Sequence, residues 1–205
     1  MRGFEQIPWL YDAALALAER TGLGRWRRRL CWGTRGRVLD LGCGTGRNLP
    51  LLPPGTVGID PAQDPLRRAR RRAPAARLVR ARAEALPFRD GAFDTVVSGL
   101  VFCSVDDPAG GLAEVRRVLR PEGTLRMLEH VRSERPWRAR FQDRVQPAWT
   151  WISGGCRPNR DTERTVEAAG FAIEPATRRA RGTMRRFVAR HGPATNGIAE
   201  GSQAG

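Results

Sequence analysis

Short runs rich in apolar residues alternate along this chain with longer stretches in which apolar and charged positions repeat at helical spacing. The runs lie at about 38–41, 56–59, 77–80, 94–98 and 124–128. Runs this short are typical of buried strands, and the stretches between them are long enough for helices. The alternation predicts an α/β fold in which helices cover a doubly wound, mostly parallel sheet.

Local signals extend this prediction towards both ends of the chain. Asp107-Pro108 precedes apolar residues at helical spacing, which predicts a helix with an acidic cap, ended by the Arg-Pro-Glu-Gly sequence at 120–123. Residues 171–177 and 184–189 predict a terminal antiparallel pair of strands. Residues 9–20 predict an amphipathic helix before the first strand.

The predicted domain organisation is simple. A chain of 205 residues suits one hydrophobic core. We expect an N-terminal helical lid over residues 1–36 and a single α/β domain over residues 37–190. Residues 191–205 are small and polar without periodicity, so we expect a disordered tail there.

Composition narrows the class of protein. Hydrophobic residues make up 40% of the chain, but no stretch approaches the roughly 18 apolar residues of a membrane-spanning helix. No signal peptide is evident, so we expect a cytoplasmic protein, with peripheral membrane contact as the alternative. The four cysteines lie far apart and the chain has two histidines. We therefore predict reduced thiols and neither a metal site nor a disulfide framework.

The net charge of +15 has two explanations. It would suit binding to nucleic acid or anionic lipid, but every one of the 36 basic residues is arginine. The complete absence of lysine favours the codon bias of a GC-rich genome. The arginine runs at 25–29 and 67–72 are interpreted as solvated helix faces. We expect no nucleic-acid partner.

The most informative chemistry lies at residues 38–46, Val-Leu-Asp-Leu-Gly-Cys-Gly-Thr-Gly. Glycines after a strand permit a tight turn and a close approach of ligand to backbone. Asp40 would repel a pyrophosphate but favours an ammonium. Asp60 ends the next predicted strand, where an acid can accept from both hydroxyls of a ribose. An acid for an ammonium, glycines under a nucleoside and an acid for a ribose diol together describe S-adenosylmethionine.

With these motifs the chain resembles the class I S-adenosylmethionine-dependent methyltransferases. The resemblance covers VLDLGCGTG, VGID, AEALPFRDGAFDTVVS and LAEVRRVLRPEGTL, in that order, and extends from about residue 11 to residue 189. It implies a single-domain, Rossmann-like, seven-stranded sheet with a terminal antiparallel strand. The sequences LVFCSV, RMLEHVRS, FQDRVQPAW and GGCRPNRDT resemble a subgroup of bacterial proteins and animal alkyl thiol methyltransferases.

The resemblance also implies a set of cofactor-binding residues. The predicted set is Asp40, Gly42, Cys43, Gly44, Gly46, Asn48, Asp60, Pro61, Ala83, Glu84, Ser98 and Leu100. The common form of the motif has an aspartate before the alanine at 83, where this chain has Arg82, which leaves the hydrogen bond to the adenine amine without its usual acceptor. Glu84 has an alternative role as a charge at a helix N-terminus.

Glu129 and His130 end the fifth predicted strand, and the resemblance makes them the candidate catalytic residues. An imidazole can act as a general base near neutral pH, although His130 could instead order the following loop. Cys103 and Ser104 either line the floor beneath the transferred methyl group or simply pack.

The stretch between the fifth and sixth predicted strands is where such enzymes insert substrate-recognition elements. The predicted substrate-binding residues are Gln142, Trp149, Cys156, Asn159 and Arg160. Asn159 or Asp161 could instead cap the helix that follows. Arg160 could pair with an acid of the site or bind an anionic substrate group.

The resemblance implies methyl transfer to a small, partly apolar acceptor. An alkyl or aryl thiol is preferred, because a thiol is partly ionised near neutral pH and needs little activation. A phospholipid amine or another small metabolite is the alternative acceptor, and a non-catalytic binding module is a further one. The sequence does not predict the oligomeric state.

Overall fold

The computed structural model of the protein describes residues 22–152 and 155–193. The predicted helix at 9–20 and nearly all of the predicted tail lie outside these residues. Of residues 1–36, the predicted N-terminal lid, the structure describes only those from residue 22 onwards.

One mixed sheet organises the described residues. Its strands are β1 (Val38–Leu41), β2 (Val57–Asp60), β3 (Arg77–Arg80), β4 (Phe93–Gly99), β5 (Leu119–His130), β6 (Phe171–Ile173), β7 (Arg179–Arg181) and β8 (Met184–His191). Neighbours follow the order β3-β2-β1-β4-β5-β8-β6, with β7 paired to β8. β8 is antiparallel to each strand that it pairs with, whereas the pairs from β3 through β5 are parallel. The α/β fold class is confirmed.

Helices connect the strands and cover the sheet. They are α1 (Gly24–Cys31), α2 (Gln63–Arg72), α3 (Pro108–Val118), α4 (Pro136–Ile152) and α5 (Thr162–Ala168), with short 3-10 turns at Leu49–Leu51 and Pro175–Thr177. Asp107 caps α3 by accepting the Gly110 N–H at 3.0 Å, as the sequence predicts. Asp161 caps α5 through the Arg164 N–H at 3.2 Å, so capping falls to Asp161 and not to Asn159.

The central strands are apolar because both faces of the sheet are covered. All four residues of β1 are buried, and the side chains of β4 and β5 pack with those of α3 in one core cluster. A second cluster joins α1 to the other face through Leu30, Val97 and Leu128. Asp40 is the charged residue inside this otherwise apolar strand β1. Packing alone does not explain a buried carboxyl group there, so Asp40 is a candidate functional residue.

Two details differ from the prediction. β7 adds an eighth strand, because Gly182 adopts φ +60° and lets residues 181–184 form a tight hairpin. β5 begins at Leu119, directly after α3, and the register between β4 and β5 shifts between Phe93 and Thr95. Residues 120–123 are therefore a bulge within the strand rather than a separate loop.

Strand order reverses between β1 and β4, since β2 and β3 lie on one side and β5 on the other. In open α/β sheets a ligand crevice forms beyond the carboxyl ends of the strands at such a reversal. Within the ranges that the structure describes, no helix is long and apolar enough to span a bilayer.

Candidate active site

A cavity of about 530 Å³ opens at the carboxyl ends of the parallel strands. Nine of the predicted cofactor residues line it, namely Gly42, Cys43, Gly44, Asn48, Asp60, Pro61, Ala83, Glu84 and Leu100. Asp40, Gly46 and Ser98 are buried and do not line the cavity. The glycine turn, the end of β2 and the turn after β3 are thus brought to one place.

The glycine turn after β1 has a geometry that side chains would disrupt. Gly42, Gly44 and Gly46 have φ values of +60°, +52° and +79°. A Cβ on Gly42 would lie 2.6 Å from Val101 Cγ2, and one on Gly46 would lie 2.9 Å from the Ala69 Cα. A Cβ on Gly44 would meet nothing within 4 Å. Gly42 and Gly46 therefore fit the turn against its neighbours, while Gly44 exposes backbone to the cavity.

Asp60 ends β2 and holds the glycine turn in place. Its Oδ2 accepts the Gly44 N–H at 3.0 Å, and its Oδ1 accepts the Ala62 N–H at 2.9 Å. Burial raises the pKa of Asp60, and the two backbone N–H groups oppose that shift. Each carboxylate oxygen retains a lone pair for a ligand hydroxyl group.

Asp40 is buried behind the residues that line the cavity. It connects to the cavity through Asn48, which is one of those residues. Its Oδ1 accepts from Asn48 Nδ2 at 2.7 Å, and Asn48 Oδ1 in turn accepts from Arg27 Nη1. The Oδ2 of Asp40 is buried and has no hydrogen-bond partner among the described residues. Burial raises the pKa of Asp40 to about 7, against the lowering effects of Asn48 and Arg27. A cationic group placed near this carboxyl would stabilise its ionised form.

Three charged residues that interact with one another, Arg82, Glu84 and Asp106, also line the cavity. Arg82 pairs with the Asp106 carboxylate through Nη2, and its Nε lies 3.6 Å from Glu84 Oε2. Glu84 Oε1 also accepts the N–H of Asp107 at 3.3 Å, at the N-terminus of α3. Glu84 therefore both lines the cavity and complements a helix terminus. Ala83 is buried between these groups.

Leu100 follows β4 in a strained conformation, with φ +64°, and it lines the cavity. Glu129 holds this loop from behind. Its Oε1 accepts from Ser98 Oγ at 3.1 Å, the Val101 N–H at 3.0 Å and the Phe102 N–H at 3.2 Å. Strain of this kind persists only where surrounding contacts enforce it.

Glu129 was predicted to be catalytic, and its placement argues against that role. The residue is fully buried, does not line the cavity and uses one oxygen for three donors, while its Oε2 has no partner among the described residues. Burial raises its pKa to about 7. Glu129 is a positioning residue for the loop at 100–102, because its contacts fix the backbone there.

His130, Trp149, Cys156 and Cys103 form a cluster beside the cavity. The pKa of the Cys156 thiol is lowered first by a hydrogen bond with Cys103, against the effect of burial, and further by hydrogen bonds with His130 and Trp149. The residues on either side, Gly155 and Arg157, line the cavity. Three predicted catalytic or substrate residues from distant parts of the sequence therefore meet at this point.

Two other predicted substrate residues, Gln142 and Asn159, brace loops instead. Gln142 accepts the Ser133 N–H at 2.7 Å and donates to the carbonyl oxygens of Val131 and Pro158 at 3.3 and 3.1 Å. Asn159 donates to Asp143 at 3.0 Å.

Arg160 also braces a loop through its guanidinium. Its Nη1 donates to the carbonyl oxygens of Phe102 and Val105, each at 2.6 Å. The guanidinium therefore fastens the segment after α4 to the loop after β4, and among the described residues it forms no ion pair with an acid. Its role as a substrate-binding residue stays a prediction.

Several cavity residues have no counterpart in the predicted set. They include Arg27, Thr45, Arg47, Val101, Asp106 and Arg157. Thr45 and Val101 lie inside recognised motifs and could have been included on that ground. Arg27 belongs to an arginine run interpreted as solvated, yet it is only 7% exposed. No local sequence signal distinguishes it from its neighbours.

The site fits S-adenosylmethionine on its own observations. The unpartnered Oδ2 of Asp40 suits an environment that gains a positive charge, and the open face of Gly44 leaves room for a ligand against the backbone. Asp60 presents acceptors at the end of β2, where a ribose diol would bind.

Comparison with known proteins agrees with this site. Residues 39–127 match the family described as "Methyltransferase domain". A Thermotoga maritima structure, titled a SAM-dependent methyltransferase and possible histamine N-methyltransferase, superposes with a TM-score of 0.73 at 21% identity, over 92% of this chain and 97% of that one. The described residues form a class I S-adenosylmethionine-dependent methyltransferase domain, and S-adenosylmethionine is its cofactor.

Two curated relatives narrow the comparison. Human thiol S-methyltransferase TMT1B is 39% identical over 152 residues, which is 68% of this chain and 62% of that protein. The demethylmenaquinone methyltransferase of Thermus thermophilus is 40% identical over 139 residues, which is 62% of this chain and 63% of that protein. The chain thus spans somewhat less than two thirds of these relatives.

Proposed function

We propose that the protein transfers a methyl group from S-adenosylmethionine to a small, partly apolar acceptor, preferably an alkyl or aryl thiol. The observation that carries this proposal is the cluster of His130, Trp149, Cys103 and Cys156 beside the cavity. The cluster offers an imidazole, an indole and two sulfur atoms. An acceptor that is apolar and needs only a modest base suits such surroundings.

The roles of the chain's own residues follow from their positions. Asp60 binds the ribose hydroxyl groups, while Asp40 and Asn48 favour the ammonium. When bound, S-adenosylmethionine supplies a methyl group already activated on a sulfonium. The protein therefore has to align the acceptor and remove its proton. His130 takes the proton from the acceptor S–H, and Trp149 holds the apolar part of the acceptor.

We assign recognition of the adenine amine to Asp106. This chain has Arg82 where the motif commonly has the acid, and Arg82 pairs with Asp106 on the cavity wall. The Asp106 carboxylate keeps lone pairs that can accept from an amine while the guanidinium holds it. Asp106→Asn should weaken S-adenosylhomocysteine binding about tenfold, a loss of about 1.4 kcal/mol.

A matched control for this assignment is Asp90→Asn. Asp90 also pairs with an arginine, Arg117, at 2.8 Å, but it lies outside the cavity wall. Calorimetry should find wild-type affinity in that variant. Wild-type affinity in Asp106→Asn as well would contradict the assignment and leave the proposed reaction intact.

A phospholipid amine is the second candidate acceptor. Helix α4 exposes Trp137, Phe141 and Trp151 by 63–65%, and arginines lie between them along the helix. Aromatic and basic residues together are typical of helices that lie at a lipid surface.

The experiment that tests the proposal is an acceptor panel of thiols, phenols, amines and phosphatidylethanolamine, with formation of S-adenosylhomocysteine followed for each. We expect turnover of apolar thiols. Turnover of the lipid amine with inert thiols would contradict the preference.

The base assignment has its own control. His130→Gln should slow thiol methylation at neutral pH by about tenfold or more, and the loss should shrink as pH rises through the acceptor's own pKa. His191→Gln, at the end of β8 and outside the cavity wall, should leave turnover unchanged. Equal rates in the two variants would remove His130 from the reaction.

A further inference from the structure

Cys103 and Cys156 are two free thiols that the fold brings close together. Cys103 lies in the loop after β4 and Cys156 follows α4, yet each thiol shifts the pKa of the other. The Arg157 N–H donates to the Cys103 carbonyl oxygen at 2.7 Å, which holds the two backbones side by side. Both residues are buried, with 2% and 8% of their surface exposed.

The segment that carries Cys156 is fixed from the other side as well. Thr150 Oγ1 donates to the Cys156 carbonyl oxygen at 3.0 Å, and the Gly155 N–H donates to the Thr150 carbonyl oxygen at 2.9 Å. Arg160 ties the same segment to the carbonyl oxygens of Phe102 and Val105. The contact between the thiols is thus part of a braced structure.

The two thiols differ in their electrostatic surroundings. A hydrogen bond from Cys103, together with His130 and Trp149, lowers the pKa of Cys156. The pKa of Cys103 is raised, because it donates to its partner and is buried near Glu129. Burial raises the pKa of Cys31 to about 12. These shifts favour ionisation of Cys156 before Cys103, an order that suits thiol–disulfide exchange.

Residues next to both cysteines line the cavity. Gly155 and Arg157 flank Cys156 and line the cavity, and Ser104 next to Cys103 lines it too. Ser104 Oγ lies 3.6 Å from Cys103 Sγ. A small molecule that enters the acceptor end of the cavity therefore comes up to the residues that flank both sulfur atoms.

We propose that Cys103 and Cys156 form a reversible dithiol–disulfide pair, oxidised by low-molecular-weight disulfides and located at the acceptor end of the active site. Cys156 Sγ attacks one sulfur of the small disulfide, whose S–S bond breaks and releases one thiolate. The Cys103 sulfur then attacks the mixed disulfide on Cys156 and loses its proton to the second departing thiolate. The first thiolate takes up the proton that Cys156 lost on ionising, so two protein thiols are oxidised and one small disulfide is reduced to two thiols.

The disulfide would change the acceptor site directly. It removes the ionisable thiol of Cys156 that interacts with His130 and Trp149, and it locks the loop after β4 to the segment after α4. We expect methyl transfer to fall on oxidation and to return on reduction. The inference goes beyond the proposed function, because formation of the disulfide needs neither cofactor nor acceptor.

The test uses the full chain, reduced with a phosphine so that no thiol acceptor is added. Oxidised glutathione is the probe, and peptide mapping by mass spectrometry without reduction is the readout. Wild type should yield the Cys103–Cys156 linked peptides. Cys103→Ser should instead accumulate glutathione on Cys156, and Cys156→Ser should leave Cys103 unmodified. Cys31→Ala, at the end of α1 and in the core, is the matched control and should form the link as wild type does.

Other outcomes would overturn the inference. They are the absence of the link in wild type, persistence of the mixed disulfide on Cys156 with Cys103 present, or glutathione on Cys103 in Cys156→Ser. Binding of S-adenosylhomocysteine shows that each variant is folded. If a variant fails that check, limited alkylation of reduced wild type decides, since Cys156 must react before the other three cysteines.

Discussion

Gly44 and Gly42 offer a matched pair of substitutions that separates binding from folding. Both glycines have positive φ and belong to the same turn. A Cβ at Gly44 meets nothing within 4 Å in the protein, whereas one at Gly42 lies 2.6 and 2.7 Å from the two methyl groups of Val101. Gly44→Ala should therefore impair cofactor binding, and Gly42→Ala should impair stability.

The magnitudes follow from these contacts. Gly44→Ala carries the left-handed backbone cost of about 1–2 kcal/mol and no packing cost. Gly42→Ala carries the same cost plus overpacking of about 1–3 kcal/mol, which gives about 2–5 kcal/mol in total. The methyl group of Gly44→Ala would occupy space at the cavity wall, so S-adenosylhomocysteine should bind at least about tenfold more weakly, a loss of about 1.4 kcal/mol.

Urea unfolding measures the loss of stability in each variant, and calorimetry with S-adenosylhomocysteine measures the loss of cofactor affinity. The key comparison is within the pair, since both variants change the same residue type by one methyl group. Unchanged affinity in Gly44→Ala would refute the placement of the cofactor over this turn. Equal losses of stability in the two variants would refute the argument from the Val101 contact.

Three further predictions concern buried and capping acids. Burial raises the pKa of Asp40 to about 7, and a bound ammonium favours its ionised form. The affinity for S-adenosylhomocysteine, measured by calorimetry, should therefore rise between about pH 6 and about pH 8. Asp40→Asn should flatten this rise. The folded-state pKa of Glu129, also about 7, exceeds its ordinary value of 4.5, so its proton stabilises the fold at low pH and that stability is lost as pH rises between these values. Urea unfolding of Glu129→Gln should lack on the order of 3 kcal/mol of this decline in the free energy of unfolding with pH. A free energy of unfolding that falls with pH as steeply as in wild type would contradict the reasoning. Asp161→Ala should destabilise the protein by about 1 kcal/mol and Asp161→Asn by much less, because either Asp or Asn can accept the Arg164 N–H; equal losses in thermal unfolding would exclude capping.

The parts of the site that the sequence predicted well depend on chemistry confined to a few neighbouring residues. A buried strand followed by glycines and an acid at the end of the next strand both specify backbone geometry locally. Gly42, Gly44 and Asp60 accordingly lie on the cavity wall. The alternation of strands and helices predicted the sheet for the same reason. The short hairpin strand β7 was not predicted, because its three residues, Arg-Ala-Arg, lack the apolar pattern of a strand.

The parts that the sequence did not predict depend on contacts between distant residues. Arg27 reaches Asn48 across 21 positions and Arg160 reaches Phe102 across 58. An arginine in a basic run and an arginine in an insertion both give the same local signal as a solvated side chain. Their burial is decided by tertiary packing, which supplies the carbonyl and amide oxygens that make a buried guanidinium tolerable.

Contacts of this kind also explain why the sequence between β5 and β6 predicts how that segment folds better than it predicts which acceptor the segment binds. Gln142, Asn159 and Arg160 use their hydrogen-bonding groups to join α4, the segment after it and the loop after β4. What remains to face an acceptor is the cluster of His130, Trp149 and Cys156, held in place by that framework. Two proteins that share the framework can therefore differ in acceptor through substitutions at these few positions. A test of acceptor choice should accordingly vary the cluster and leave the bracing residues intact, because loss of a brace would move every group of the cluster at once.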